Sequence, residues 1–446
     1  MNKVKLKLFL LLTPLLKTKY QMTEKRFKYV LIAILCIVFI AVINKPIEIY
    51  PDSEGYLNME IYRSAGYPIF LWILKQISGS YLNLVTIVVQ AAIGLIAIYL
   101  FISRLKRLLN LHSFWYLLLS MVMAVPYVYN HQIANNYLSE ALTYPLYLLV
   151  VISFLESLIT GEVKKLWIAW PILMVLMITR SQFLFMVPAA LLIILWLAYN
   201  QKKTKNYLWI GLAFFILPVL TSLMDKTYHQ LKHGHFVNTP WTGIHLIAPA
   251  FYVADEEDYQ LYDSEEERDF FKSIFTKLYS NHLNVNHLNE DGQRDAIEFY
   301  IRHYSAIANA TIYDSGKELV GIQLSEDQKF IALDQLTKKM ALPLVLNNFK
   351  SWFKLYIKNS VSAFGSAKHA AIYIILLLVG LVGLFKKGQN DYKVMSLLVL
   401  LTLGNVALVA IGMHAIKRFT FYNDWVLFLI LFILIDAYSK PIKSNL

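Results

Sequence analysis

Apolar residues gather into ten runs along this chain, at 28–43, 82–102, 114–129, 141–158, 166–179, 183–199, 207–224, 370–385, 394–413 and 425–437. With their flanks, these runs reach the length needed to cross about 30 Å of hydrocarbon. Helices are the expected form, because a lone segment in lipid must satisfy its own backbone groups. After the seventh run the pattern changes. Residues 225–369 are polar overall, with helix-spaced apolar positions in "EEERDFFKSIFTKLYSNHL" and "QRDAIEFYIRHYSAIANA". That stretch is too long for a loop and reads as a small, mostly helical domain. The fifth and sixth runs are joined only by "RSQ" around Arg180, where a short turn and a broken helix fit equally well. No solenoid-scale repeat and no inverted halves are visible. The expected fold class is therefore all-α: a polytopic transmembrane helical bundle of about ten spans with a mostly helical extracytoplasmic domain. The expected organisation is a basic N-terminal segment at 1–27, a transmembrane module at 28–224 with its first outer loop at 44–81, the domain at 225–369, C-terminal spans at 370–438 and a tail at 439–446.

Composition agrees with that pattern. Of 446 residues, 57% are hydrophobic and only 16% charged, too few to coat a water-soluble surface. The net charge of +12 raises nucleic acid as a partner. However, much of the Lys and Arg sits in "SRLKRLLNLH", "TGEVKK", "NQKKTKN", "KKGQNDYK" and the tail "SKPIKSNL". With the N-terminus inside, all five fall on the cytoplasmic side, as the positive-inside bias requires. The expected partner is thus the lipid bilayer and not nucleic acid, in a plasma (inner) membrane with both termini cytoplasmic. Cys36, the single cysteine, excludes an intrachain disulfide. The opening "MNKVKLKLFLLLTPLLKTKY" is too short in its apolar stretch to span and lacks a small-residue cleavage site. It is either an interfacial segment or an over-long start, with Met22 as the alternative initiator.

Candidate chemistry lies at the outer ends of the runs, which are themselves nearly free of ionisable residues. "IEIYPDSEGYLNMEIYRSAGYPIF", residues 47–70, places Asp52 and Glu54 just beyond the first run, near enough to the bilayer to meet a lipid-linked substrate and wet enough to stay ionised. The same residues suit the start of a short helix, where carboxylates complement the dipole, and the two roles are compatible. Glu140, after Ser139, has the same double reading. Arg180 and the pair Lys417–Arg418 fall outside, where short loops avoid positive charge. Their forked or point charges suit phosphate, and snorkelling to headgroups is the alternative. His414 lies one turn before Arg418, and Arg63 and Tyr67 share the loop of Asp52; a structural histidine and an interfacial aromatic anchor are the competing roles. Asp52 and Glu54 could share a divalent cation, but two carboxylates do not specify one, and no cofactor is expected. The acidic run "ADEEDYQLYDSEEERD" reads as a cation site or a solvated helix start. Neither a phosphate loop nor a nucleophile elbow occurs.

The Asp-x-Glu pair followed by "YL", an Arg and "GYPIFL", together with "NNYLSEALTYPLYLL", "MITRSQFLFMVPAALL" and "AIKRFTFYNDWVLFLI", resembles the GT-C superfamily of polytopic glycosyltransferases. The likeness is to the branch of protein mannosyltransferases and lipid A aminoarabinose transferases. It covers residues 28–200 and 370–437 and leaves the domain from 225 unmatched. Ala65 stands where many members have Pro, and Glu54 is not always acidic in the family, which leaves the sub-branch open. The resemblance implies an inverting enzyme that moves a sugar from a polyprenyl-phosphate donor to an extracytoplasmic glycan, lipid or protein. Asp52 would be the base and Glu140 the second acidic position. Arg180 and Arg418 would grip the lipid phosphate, with Glu54, Arg63, Tyr67, His414 and Lys417 in substrate binding. A metal would enter only as in the oligosaccharyltransferase branch. Such transfer needs a carboxylate within reach of the acceptor hydroxyl and cations at the departing phosphate, with no general acid. A transporter or flippase, or a non-catalytic factor of envelope polysaccharide assembly, remains the alternative. One-sided charge favours the enzyme, because a carrier places ionisable groups near the midplane.

Overall fold

The computed structural model describes residues 22–129, 131–201, 204–290, 295–321 and 323–439. The opening segment through residue 21, most of the tail, and residues 202–203 of "NQKKTKN" lie outside the described residues. Among the described residues every regular element is helical, apart from one bridge between Glu48 and Asn136. The first part of the bundle comprises α1 (Glu24–Ile43), α2 (Pro51–Leu57), α3 (Gly66–Ser78), α4 (Leu82–Leu108), α5 (Ser113–Val128), α6 (Glu140–Thr160), α7 (Lys164–Thr179), α8 (Met186–Gln201) and α9 (Thr204–His233). The polar domain follows with α10 (Thr242–Tyr252), α11 (Glu265–Ser280), α12 (Val285–Glu290), α13 (Ala296–Tyr304), a π-helical stretch (Ser305–Ser315), α14 (Gly316–Leu319), α15 (Glu326–Asn347) and α16 (Phe349–Ser362). The chain then returns to the bundle in α17 (Ala367–Lys387), α18 (Asn390–Gly412), α19 (Lys417–Thr420) and α20 (Asp424–Ser439).

Each of the ten apolar runs coincides with a helix, but among the described residues only eight helical segments are long and apolar enough to cross a membrane. They make the chain a multi-pass membrane protein. The other two runs form α5 and α7, each of 16 residues. At about 1.5 Å per residue these fall short of the hydrocarbon thickness. The junction at Arg180 is a break: Arg180 is extended, and a 3-10 turn, Ser181–Phe185, leads into α8.

Two cores divide the molecule. The bundle core is rich in fully buried aromatics, among them Phe101, Tyr116, Tyr147 and Trp425. Ile247, Phe251, Phe271 and Ile307 belong to the separate core of the polar domain. The domain begins later than the polarity change at 225 suggests, since α9 runs on to His233 and ends at Gly234, whose φ of 78° is the left-handed stop that glycine permits. In the acidic run, Ser264 caps α11 with Glu265, Glu266 and Glu267 in its first turn, so the helix-start reading describes its second half. The domain is seated on the bundle where α10 meets the end of α18. A Cβ on Gly412 would lie 2.8 Å from the His245 carbonyl oxygen, so only glycine permits that approach.

Candidate functional site

The loop after α1 folds because its polar groups cap its own short helix. The Tyr50 amide donates to Ser53 Oγ at 3.0 Å, Pro51 opens α2, and Asp52 and Glu54 occupy its first turn. The helix-start role of the two acids is therefore real, but their carboxylates are not the cap. Asp52 Oδ1 accepts from Arg63 Nη2 at 2.8 Å, and Oδ2 pairs with Arg418 Nη1 at 2.7 Å. Arg63 lies across the faces of Tyr56 and Tyr62, 4.5 and 4.9 Å from the ring centres. Gly55 makes room for it, since a Cβ there would stand 2.8 Å from Arg63 Nε.

Glu140 reaches the same place from the end of the segment between α5 and α6, which runs alongside the loop after α1. The segment before it is tied down by amides: Asn135 Nδ2 donates to the carbonyls of Val42 and Lys45, and Gln90 Nε2 to those of Ala134 and Asn136. Tyr67, fully buried, donates to Gln90 Oε1 at 2.7 Å. It is a strut under the site and not a substrate contact. Glu140 then opens α6 with its side chain only 3% exposed, and Oε1 receives Arg180 Nη1 at 2.9 Å and Arg418 Nε at 2.8 Å. Oε2 is buried and accepts no hydrogen bond from the described residues. A buried acceptor left unpaired is costly, so this oxygen is suited to a ligand hydroxyl.

Arg180 is aimed by the break between α7 and α8. Gly66 packs directly on the preceding turn, where a Cβ would meet Thr179 Cα at 2.7 Å, so the start of α3 and the arginine share one seam. The guanidinium lies over Phe419, 5.0 Å from the ring centre. Arg418 is fixed by its neighbour's backbone: Gln182 and Asn405 both donate to the Phe419 carbonyl, at 2.7 and 3.1 Å, and Gln182 also donates to Asn405 Oδ1.

Five predicted residues thus converge: Asp52, Arg63, Glu140, Arg180 and Arg418. Two carboxylates face three guanidiniums, leaving one net positive charge for an anion to neutralise. Burial alone would lift the Asp52 carboxyl, but Arg63 and Arg418 outweigh it and hold it below its ordinary value. Four predicted residues stay outside the cluster. Tyr67 lies beneath it, and Glu54 is exposed with no ion pair among the described residues. Lys417 turns away to Asp424 Oδ1 at 2.9 Å. His414 Nδ1 bonds the Ile301 carbonyl and its ring stacks on Tyr304, 4.4 Å between centres. Burial, with Arg418 nearby, holds the His414 pKa below the usual histidine value, so it is a neutral member of the joint to the domain. On the same joint His245, bonded to the Tyr304 hydroxyl, is pushed by burial down to about 4. A divalent ion shared by Asp52 and Glu54 does not suit this arrangement, since both Asp52 oxygens face arginines.

A groove of about 430 Å³ opens between α17, α18 and α20; none of the five clustered residues lines it, and its Lys417 is the sequence neighbour of Arg418. Lys417 and Asp424 stand at one end, and Leu427, Phe428 and Leu431 follow down one face of α20 opposite Tyr373 of α17. Phe428 and Leu431 are about half exposed, as side chains facing lipid are in the absence of a bilayer.

No protein-family model matches the chain, and no curated protein matches it.

Proposed function

We propose that this protein is an integral-membrane inverting glycosyltransferase of GT-C type. It moves a sugar from a polyprenyl phosphate to an extracytoplasmic glycan, lipid or protein of the cell envelope. In this reading the chain crosses a plasma (inner) membrane about ten times with both termini cytoplasmic, the short helices α5 and α7 completing their crossings with the non-α-helical residues that follow them, which puts the polar domain and the cluster on the outer side. One observation carries the reading: Asp52 and Glu140, from distant parts of the sequence, meet on Arg418 at the edge of the apolar bundle.

The chemistry follows from the pairings. In the resting protein the Asp52 oxygens are engaged by Arg63 and Arg418. The phosphodiester that joins the donor sugar to its isoprenoid chain competes at the bundle edge for the forked donors of Arg418 and Arg180, which suit its free oxygens. As Arg418 turns to the phosphate, Asp52 Oδ2 is released to accept the proton of the acceptor hydroxyl. The acceptor oxygen forms its bond to the anomeric carbon as the bond from that carbon to the phosphate oxygen breaks on the opposite face. The electron pair leaves with the phosphate, the proton stays on Asp52, and the configuration inverts. Glu140 Oε2 takes a sugar or acceptor hydroxyl, and the groove along α20 takes the isoprenoid chain, with Lys417 at its head.

The test is transfer of labelled sugar from a polyprenyl-phosphate donor in proteoliposomes, together with envelope glycans and glycolipids from a deletion strain. Transfer by wild type with release of polyprenyl phosphate, its absence for Asp52→Asn, and accumulation of lipid-linked sugar in the deletion strain are expected. A flippase using the same charges would move the lipid-linked sugar without breaking its phosphate bond. Recovery of intact donor on both leaflets, with no polyprenyl phosphate formed, would replace this proposal.

A further inference from the structure

Helix α16, "FKSWFKLYIKNSVS", is left with one side uncovered. Phe349, Phe353 and Ile357 form a stripe at four-residue spacing and are 51, 45 and 45% exposed. Lys350, Lys354 and Lys358 form a second exposed stripe, offset by one residue and so about 100° around the helix. On its inner side Leu355 and Asn359 are buried. Apolar aromatic and lysine stripes laid side by side suit a helix lying in the plane of a membrane interface, apolar side down and ammonium groups at phosphate level.

Position points the same way. Asn359 ties the end of α16 to the end of the membrane helix α18, its Nδ2 donating to the carbonyls of Ala410 and Met413 and its Oδ1 accepting from the Ala415 amide. After four more residues the chain enters α17, itself long and apolar enough to cross. The uncovered side is therefore continuous with the lipid-facing surface of the bundle. Trp352 and Tyr356 stack beside it, 5.6 Å between centres, as interfacial aromatics do. No acidic residue occurs from 335 to 390, so α16 and the chain on either side of it carry no negative charge of their own to offset the lysines.

We infer that α16 is an interfacial anchor whose lysine stripe binds the headgroups of anionic phospholipids, holding the polar domain down against the bilayer. This does not depend on the glycosyltransferase reading. It requires only that the bundle sits in a membrane.

The full-length protein tests it in lipid nanodiscs. In a Cys36→Ser background an environment-sensitive dye is attached at Phe353→Cys, and in separate samples at Ile357→Cys or, as a control on α11, at Glu266→Cys. A nitroxide near the acyl carbonyl should quench the dye at 353 or 357 about threefold more than one near the terminal methyl, while iodide reaches it about threefold less than at 266. Replacing about a third of the phosphatidylcholine with phosphatidylglycerol should strengthen the shallow quenching about twofold, and the triple change Lys350→Gln, Lys354→Gln, Lys358→Gln should abolish that increment. Iodide access at 353 equal to that at 266 overturns the anchor. So does protection from iodide with no response to either nitroxide, which would mean that protein, a second copy included, covers the face. A phosphatidylglycerol increment that survives loss of the three lysines overturns the headgroup assignment.

Discussion

Glu140 and Glu156 sit on one helix, α6, about 24 Å apart along its axis. Both are buried, 3 and 5% exposed, and both face several cations. Glu140 is in the first turn, where the helix dipole favours a carboxylate, and two guanidiniums donate to one of its oxygens at hydrogen-bond distance. Glu156 is in the last turns, where the dipole opposes it, and Lys165, Arg104 and Arg107 stand off at 3.3, 3.7 and 4.0 Å. The cations differ as well. Those of Glu140 are aimed by a helix break, an aromatic ring and two amides, whereas those of Glu156 come from basic connectors, with Arg107 71% exposed. Each glutamate keeps a buried Oε2 that accepts no hydrogen bond from the described residues, so the difference lies in the donors: directed guanidiniums at one end and a diffuse neutralisation of charge at the other. Burial, counter-charge and a spare acceptor do not mark a site by themselves; directed donors do.

The largest expected break in this comparison is Asp52→Asn. Transfer should fall about a hundred- to ten-thousandfold in the proteoliposome assay. The melting temperature in detergent should move far less than the activity, because asparagine keeps an acceptor oxygen at Arg63 and Arg418 keeps its pairing with Glu140. Near-normal turnover would remove Asp52 as base. Glu140→Ala comes next: it strands two guanidiniums in a mostly buried setting and should cost about 3–5 kcal/mol, read as a shifted denaturation midpoint along with lost transfer. Glu156→Gln should cost only about 1 kcal/mol, because its cations can turn to water, and should leave transfer unchanged. If Glu156→Gln matched Glu140→Ala in both readouts, the contrast between the two ends would be gone.

The smallest effect is that of pH. A depressed carboxyl contributes stability that is present above its unfolded value, about 3.9, and is lost as pH falls through the folded value below it. Asp52 should therefore add no slope to stability between about pH 5 and 8. The acid limb of kcat/KM, which reports the free enzyme, should lie below about pH 4. An acid limb near neutrality would assign the base elsewhere.

The helices and their order were legible because apolar runs of this length admit little else. Two runs made helices too short to span by themselves, since hydrophobicity marks where a helix lies and not where its backbone bends away, as it does at Arg180. At the site, Arg180 and Arg418 stood out because they defy the charge bias of their side, and Asp52 and Glu140 because they lie at the outer ends of apolar runs in the segments that carry the family resemblance, with helix opening as their competing role. Lys417, adjacent to Arg418, shared that signal but lies about 100° around the helix and faces Asp424. Tyr67 gave no sign in the sequence of whether its hydroxyl met substrate or Gln90. The amides Gln90, Gln182 and Asn405 were missed, although a lone amide inside an apolar run is itself a signal that something needs a partner there. Glu156 and Asp436 were missed in runs that read as nearly free of ionisable groups; the structure buries both, with Asp436 accepting the His112 amide at 2.9 Å.

The contact of Gly66 on Thr179 sets how this protein can vary. There is no room for even one methyl group against a main chain that cannot rotate away, so a mutational scan should find alanine at 66 harmful, at about 1–3 kcal/mol, while Ile77 on the same helix, 76% exposed, accepts any apolar residue. Drift in the bundle is then bounded by a seam of bare backbone as firmly as by its charges.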